Sequence, residues 1–292
     1  MLASSAELSA QELEPRRWGH LPLGVNFAGL GYIRTEGDIA LDPVLRLTDV
    51  EVELDTAALK YIRTFGLFGK SARFDLVQAY QEGEWTGLLN DAPAAAQRSG
   101  FTDTSLRFAI NLFGAPPLEG AEFAQYRAGL KSDTIIGAGL IVTLPTGEYF
   151  SDKLINLGEN RYSIRPQVGV VHERGKWSFE FTGATWFFTE NDDFFGGMEL
   201  EQDPLVTMQG HVIHTFRPGL WLGASLGYDF GGQSTVNGDK KDDSREILSW
   251  GVTCGVSVSR SVGFKFGYID QGTRRQTGSD LGHFVAAVSV MW

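Results

Sequence analysis

The stretch FVAAVSVMW, residues 284–292, ends the chain and decides the fold. Counting back from the last residue, every second side chain is apolar, which predicts a β-strand with one apolar face. An aromatic ring at the end of such a strand is typical of membrane-spanning barrels, where rings lie at the headgroup level. A half-buried strand of a soluble sheet is the alternative that this segment alone leaves open. The apolar positions are Phe284, Ala286, Val288, Val290 and Trp292.

The same alternation recurs along the chain in about twelve segments, an even number, as in bacterial single-chain barrels. In residues 105–112 the apolar face consists of Leu106, Phe108, Ile110 and Leu112. In residues 177–182 the aromatic face consists of Trp177, Phe179 and Phe181.

Two segments break the alternation. Within residues 50–64 the apolar residues of the first half are out of step with those of the second half, and a bulge near Asp55 would reconcile them. Pro166 lies inside residues 161–172, where it removes one ladder hydrogen bond, and we expect a local bulge there as well.

The connections between segments alternate in length, as short periplasmic turns and long outer loops do in outer-membrane barrels. Four read as short: Gly66 to Lys70, Glu173 to Lys176, Arg217 to Gly219 and Ser259 to Ser261. Six read as long: Glu36 to Asp49, Glu82 to Gly100, Pro145 to Asn160, Glu190 to Asp203, Gly231 to Arg245 and Asp270 to Asp280. The exception is Gly114 to Ser132, a long connection on the short side, in which Glu122 to Leu130 could form a short helix.

These patterns predict an all-β fold: a closed antiparallel transmembrane β-barrel of about 12 strands. Spanning helices are excluded, because each needs about 20 consecutive apolar residues, and the stretch 135–142 is far shorter and holds two glycines. We assign residues 21–292 to the barrel and residues 1–20 to an N-terminal segment. That segment lacks the basic and apolar regions of a signal peptide, so a clipped remnant and a disordered terminus are both open.

In a barrel of this kind the polar face of each strand points into the lumen. Charges there either pair and fill the interior, as buried charges must, or line a water path and set its selectivity. For any one residue we favour pairing, and for the whole set we expect at least a narrow polar path. The predicted lumen-facing residues are Arg73, Asp75, Arg107, Arg161, Arg165, Glu180 and Lys265.

The sequence gives little support for catalysis, and we expect neither an enzyme, a cofactor nor a metal ion. No histidine has a serine, aspartate or asparagine two residues away, as a strand-borne dyad would need. His211 and His214 are an odd number of residues apart and therefore face opposite ways on one strand. The single Cys254 excludes a disulfide framework and a multi-cysteine metal site. The net charge of −11 argues against a nucleic-acid partner.

Seven longer runs are distinctive: RRWGHLPLGVNF (16–27), DPVLRLTDVEVELDT (42–56), YIRTFGLFGKSARFD (61–75), DKLINLGENRYSIRPQVGVVHERGKWSFEFTG (152–183), NDDFFGG (191–197), LEQDPL (200–205) and GYDFGGQSTVNG (227–238). They resemble the family described as "Putative MetA-pathway of phenol degradation", and the likeness extends from about Glu14 to Trp292. The resemblance implies a Gram-negative outer-membrane barrel related to channels for hydrophobic molecules, and it brings no catalytic motif.

Our leading hypothesis is an outer-membrane channel or transporter for small, hydrophobic or aromatic molecules, constricted by side chains and inward-folded loops. The main alternative is a structural or binding barrel with a closed lumen, whose outer loops contact partners. An outer-membrane hydrolase is a third and weaker hypothesis. The expected partners are outer-membrane lipid, a small-molecule solute and, for the C-terminal strand, the outer-membrane assembly machinery.

Overall fold

The computed structural model describes residues 13–40 and 47–292, which form one closed β-barrel with short additions at both ends. The helix α1 (Gly120–Gly129) lies between β5 and β6. The strands are β1 (Asn26–Ala40), β2 (Leu47–Leu67), β3 (Lys70–Leu89), β4 (Ala92–Phe101), β5 (Thr104–Phe113), β6 (Ser132–Leu144), β7 (Ser163–Arg174), β8 (Trp177–Phe188), β9 (Asn191–Phe194), β10 (Met198–Gln202), β11 (Leu205–Arg217), β12 (Leu220–Gly231), β13 (Ser234–Val236), β14 (Asp239–Lys240), β15 (Arg245–Ser257), β16 (Val262–Thr273) and β17 (Gly278–Met291).

The barrel closes because β17, the last strand, pairs antiparallel with β1. Strands β4 and β5 both pair with β3 and form two parts of one span, so the wall has 12 antiparallel spans. Four short strands, β9, β10, β13 and β14, form a separate sheet in the outer loops. The prediction of a closed antiparallel barrel of about 12 strands is confirmed.

The outer face of the wall is apolar and the inner face is polar. On β8, Phe179 and Phe181 are 47% and 54% exposed, whereas the intervening Glu180 and Thr182 are buried. The same arrangement places Leu106, Phe108, Ile110 and Trp177 on the outside. A surface of this kind is stable only against lipid, and a closed barrel leaves no backbone polar group of the wall unpaired there.

The expected bulge near Asp55 is absent, because β2 pairs with β3 in one unbroken register from Glu51 to Leu67. The change of phase is instead a change of environment. In the upper half Val52 and Leu54 point inward into an apolar cluster, whereas in the lower half Leu59 points outward and is 55% exposed. The switch at Asp55 marks the height at which the strand leaves the bilayer and lipid no longer selects the outward side chains.

Pro166 also lies in β7 without a bulge. The pairings of β7 with β8 keep one register on both sides of Pro166, and its partner on β6 is Leu140. A bulge occurs elsewhere, at Thr102–Asp103, where the register against β3 shifts by one residue between β4 and β5. This extra residue changes which residues face inward, from even-numbered in β4 to odd-numbered in β5.

The short turns lie at one end of the barrel, as predicted, and identify the periplasmic end. There Phe68–Gly69 joins β2 to β3 and Gly175–Lys176 joins β7 to β8. Helix α1 lies at the same end, overlapping the predicted helix at Glu122 to Leu130.

Three predicted long loops are largely strand. The stretch Glu82 to Gly100 is a continuous hairpin of β3 and β4 that turns at Asn90–Asp91. β1 extends to Ala40 and β2 begins at Leu47, with residues 41–46 outside the described part of the chain. β16 and β17 are joined by residues 274–277 only. The outward side chains on these extensions are charged, as at Glu36, Glu53 and Glu84, because they lie beyond the lipid.

Within the described ranges, no helix has both the length and the apolar character that a membrane crossing requires.

Replacing Leu59 by Arg tests the height of the lipid belt. Leu59 lies midway between Arg63 and Asp55, the outward polar residues that bound the belt on β2. We expect Leu59→Arg to lower the free energy of unfolding in lipid vesicles by about 2–4 kcal/mol, the cost of a cation at the bilayer midplane. Urea titration in vesicles measures it.

The matched control is Glu51→Arg, on the same strand and the same face but above the belt. Here the cost should stay below about 1 kcal/mol, as for charges near the interface. Equal effects at the two positions would contradict the assigned belt.

Candidate functional site in the barrel lumen

Residues 13–25, which we call the inner segment, precede β1 and run inside the barrel. Leu13 and Trp18 are 2% and 3% exposed, although neither belongs to a strand. The backbone N–H of Arg16 donates to Glu180 at 2.8 Å, and Trp18 Nε1 donates to the Thr182 hydroxyl at 2.9 Å. Both acceptors lie on the inner face of β8, so the inner segment occupies the lumen.

Trp18 is held where the wall has no side chains. A Cβ on Gly169 would lie 2.1 Å from Trp18 Nε1, and one on Gly137 would lie 2.5 Å from its six-membered ring. The guanidinium of Arg107 lies over the indole at 4.7 Å from the ring centroid, a cation–π contact. Ile135 and other apolar side chains complete the cluster. Two inward-facing glycines thus create the space that Trp18 fills.

The carboxylate of Glu14 lies between two lysines of the wall. Its Oε2 accepts from Lys60 Nζ on β2 at 2.9 Å, and its Oε1 accepts from Lys265 Nζ on β16. Burial raises the pKa of Glu14, but Lys265, Lys60 and Arg17 outweigh this effect and hold the pKa well below its ordinary value. The carboxylate therefore remains ionised at neutral pH and pairs with two cations at once.

Arg16 provides a second attachment, to β11 and β12. Its Nη2 donates to the Thr215 hydroxyl at 2.8 Å, and its guanidinium lies over the ring of Trp221 at 4.7 Å. Towards the periplasm, His20 Nε2 lies 2.8 Å from the carbonyl of Pro116, and its ring meets Phe123 of α1 edge-on. Polar and aromatic contacts therefore hold the inner segment along its length.

Buried charges of the wall are paired at mid-height. Asp75 on β3 lies 2.5 Å from Arg73 on the same strand and 3.3 Å from Arg107 on β5. All three side chains face inward, and an ion pair in this setting is stable only because its geometry compensates for lost hydration.

Two arginines near the outer opening lie over aromatic rings. The guanidinium of Arg165 is 4.9 Å from the ring centroid of Trp186, and that of Arg161 is 4.5 Å from Phe188. Arg161 also donates from Nε to Glu159 at 3.2 Å. In the upper lumen, the planar groups of these two arginines are therefore held in fixed orientations by the aromatic rings.

An apolar cluster lies at the outer end of the barrel, against β17, β1, β2 and β3. Ile155 and Leu157, from the loop between β6 and β7, pack against inward-facing side chains of the neighbouring strands. The loop is held at the β4–β5 bulge, where the carboxylate of Asp103 accepts from the backbone N–H groups of Gly147 and Glu159, both at 2.8 Å. The wall residues of the cluster are Ile39, Val50, Val52, Leu54, Trp85 and Leu281.

A cavity of about 410 Å³ remains between the inner segment and the wall formed by β16, β17, β1 and β2. It exists because several inward positions there are glycine, including Gly29 and Gly31 on β1 and Gly267 on β16. Its wall is mostly apolar, with the amino groups of Lys60 and Lys265 at one side.

Each of the seven residues assigned to the lumen from the sequence lies on the inner side of the wall. Lys265 bonds Glu14 and Glu180 bonds Arg16, both in the inner segment, and the other five form the pairs and stacks described above. Whether they set selectivity stays a prediction. The five C-terminal residues lie on the outer face; Trp292 pairs its backbone with Asn26, and a role in membrane assembly stays a prediction.

The inner segment is the part of the lumen that sequence reasoning missed. The sequence assigns residues 1–20 to an N-terminal segment separate from the barrel domain; residues 13–20 of it lie inside the barrel, and residues 1–12 lie outside the described part of the chain. No periodic pattern marks them. The one available signal is the spacing of Glu14, Arg16 and Trp18, whose partners become visible only when the wall is closed.

Four histidines, His20, His172, His211 and His283, form hydrogen bonds with hydroxyl groups or a carbonyl, and His214 contacts the rings of Trp177 and Phe216. His211 Nδ1 lies 2.8 Å from the hydroxyl of Ser225 inside the barrel, and His283 Nδ1 lies 2.8 Å from that of Thr35. Among residues 13–40 and 47–292, no acid bonds the other ring nitrogen of His211, and no three potential ligands gather for a metal ion. The serine–histidine pair thus lacks the third group that orients a catalytic histidine.

Comparison with known proteins identifies the family and the fold. The family model described as "Putative MetA-pathway of phenol degradation" matches residues 35–283. No curated protein sequence matches the chain.

Among solved structures, an outer membrane channel from Pseudomonas putida F1 has a TM-score of 0.79 at 22% identity, covering 96% of this chain and 100% of the other. The translocator domain of the autotransporter NalP from Neisseria meningitidis has a TM-score of 0.53 at 12% identity, covering 99% and 96%. A closed antiparallel barrel with a lipid-facing belt is the form in which outer-membrane proteins cross their bilayer. The chain is therefore located in the outer membrane of a Gram-negative bacterium.

Because Trp18 fills the space left by Gly137 and Gly169, we predict that a side chain at position 169 expels the inner segment from the lumen. In Gly169→Val the new methyl groups overlap the indole, so Arg16 and Arg17 should become accessible and trypsin should cleave there, whereas the wild-type lumen is too narrow for the protease. Peptide mass spectrometry after limited proteolysis of the folded barrel measures the cleavage.

Gly183→Val is the matched control, because a Cβ at Gly183 meets no atom within 4 Å. It introduces the same β-branched side chain on a neighbouring strand and should leave the inner segment protected. Resistance of Gly169→Val to cleavage would show that the contact of Trp18 with Gly169 is not needed to keep the inner segment in the lumen.

Proposed function

This chain belongs to the family described as "Putative MetA-pathway of phenol degradation", and we propose that it is a selective outer-membrane channel for small solutes, closed by its inner segment in the state described above. The observation that carries the proposal is the position of residues 13–25. They fill the lumen, yet they are attached by ion pairs and hydrogen bonds that can exchange with water.

The width of the barrel supports this proposal. About eight strands enclose a space that side chains alone can fill, and 12 strands enclose a wider one. Here the additional space holds the inner segment and a cavity, and several inward positions are glycine. A barrel with only a structural role has no need of a removable filling, whereas a channel does.

The polarity of the lumen supports a selective rather than a general passage. The lumen is cationic at two heights, because Arg161 and Arg165 are buried in the upper part of the inner wall and lysines and arginines lie at mid-height. Beside them, Phe27, Ile62 and Val285 offer apolar contact. A small molecule with an apolar body fits this lining better than a sugar or a large hydrophilic solute. The channel described for the relative from Pseudomonas putida F1 accords with the proposal.

One observation favours the alternative, a closed barrel whose outer loops bind partners. The apolar cluster around Leu157 packs an outer loop against the inner face of the wall, and it contains no residue of the inner segment. If this loop blocks the outer opening and does not move, removal of the inner segment leaves the barrel closed, and the outer loops become the functional surface.

Deletion of residues 1–20 separates these two functions. The truncated protein keeps residues 21–25, including the bonds of Gly24 and Val25 to Thr64 that begin β1. We expect its single-channel conductance in planar lipid bilayers to exceed that of the wild type several-fold, because a polar path replaces the filled lumen.

Far-ultraviolet circular dichroism and heat-modifiable mobility of the truncated protein provide the folding control. Absence of conductance in both folded proteins would contradict the channel and favour the closed barrel. Equal conductance in both would mean that the inner segment does not close the path.

A further inference from the structure

We propose that the cavity beside Glu14 is a binding site for a small organic carboxylate with an apolar body, and that Glu14 occupies the ligand's place until the carboxylate displaces it. This inference rests on the proposed function, since it names the solute class of the same lumen. It depends on the two-lysine arrangement at Glu14 and on the shape of the adjoining cavity.

The first observation is that Glu14 meets the wall as a bound anion would. Its two oxygens are divided between Lys60 and Lys265, which lie on different strands. Both lysines belong to the wall, and Glu14 is attached through the chain of the inner segment alone. A free carboxylate presents the same two oxygens at the same spacing, so it can replace Glu14 without moving either strand.

The second observation is that the two lysines remain accessible from the cavity. Their side chains are 31% and 28% exposed, and Glu14 is 24% exposed. The neighbouring carboxylate, Asp75, is held by Arg73 and Arg107 and is not free to take over the lysines. Loss of Glu14 would therefore leave two cations in a confined space, a costly state that an incoming anion relieves.

The third observation is the apolar wall next to these amino groups. Phe27 on β1, Ile62 on β2, and Val285 and Ala287 on β17 line the cavity and are only partly buried. Other inward apolar side chains, such as those of the cluster around Leu157, are packed against one another, whereas these four border an open cavity. Together with a volume of about 410 Å³, they fit a compact hydrocarbon or aromatic body attached to the carboxylate.

Displacement of Glu14 links binding to opening. Arg16 and Trp18, which attach the inner segment to β8, lie within the next four residues of the chain after Glu14. A ligand that replaces Glu14 removes the attachment to β2 and β16 and shifts the equilibrium towards a released inner segment. Binding of the solute would thereby promote opening of the path through which it passes.

Binding of 4-fluorobenzoate and 4-fluorobenzamide to the full chain in nanodiscs, followed by fluorine NMR, tests the site. The two probes have the same shape and differ in charge at neutral pH. We expect the benzoate to bind at least about tenfold more tightly than the benzamide, and acetate to compete poorly because it lacks the apolar body.

Three variants make the test specific. Glu14→Gln removes the internal competitor without altering a strand, and should tighten benzoate binding by about tenfold or more. Lys265→Gln should abolish it. Lys70→Gln, at the exposed first residue of β3, should leave it unchanged. In the wild type, benzoate should also speed trypsin cleavage after Arg17.

Equal binding of the two probes, or no gain in Glu14→Gln, would overturn the site. Conductance measured on the same preparations keeps the two proposals apart. Binding without conductance in any variant would contradict the channel and retain the carboxylate site. If the channel conducts but benzoate and benzamide bind equally well, the carboxylate site would be contradicted and the channel retained.

Discussion

The pairing of β17 with β1 is the constraint on which the rest of this structure depends. The bilayer core holds no water that could form hydrogen bonds with the backbone groups of an open sheet edge, so the first and last strands must pair with each other. Fourteen consecutive residue pairs join them, from Phe27 opposite Met291 to Ala40 opposite Gly278. Closure then fixes which face of every strand meets lipid and which meets the lumen.

Closure at 12 spans leaves more room than the inner side chains fill, and the chain fills it with its own N-terminal residues. Glycines at inward positions make this possible, because Gly137 and Gly169 leave space for Trp18. The charged residues of the wall gain a second role from this arrangement. Lys60, Lys265 and Glu180 bind residues of the inner segment as well as lining a lumen.

The surroundings of β2 change along its length, from lipid to solvent on its outer face, and the direction in which its apolar side chains point changes with them. In the lower part of β2 the apolar residues face lipid, and above Asp55 they face the barrel axis, where they pack with the outer loop. An alternation that changes phase therefore indicates a membrane boundary as readily as a bulge. The bulge at Thr102–Asp103 has a different effect, since it places the Asp103 carboxylate against the backbone of that loop.

The sequence by itself determined the closed antiparallel barrel, its number of spans, the short turns, the helix between β5 and β6, and the inner or outer side of residues such as Arg107 and Phe181. These features follow from the alternation of apolar and polar residues with a period of two, which can be read in each segment without knowing which strands lie beside it. Only the tertiary structure decided that Glu14 lies between Lys60 and Lys265, or that Trp18 lies against Gly169. Those partners are 46 to 251 residues apart along the chain. Their proximity comes from closure of the wall, a long-range event that no local pattern records.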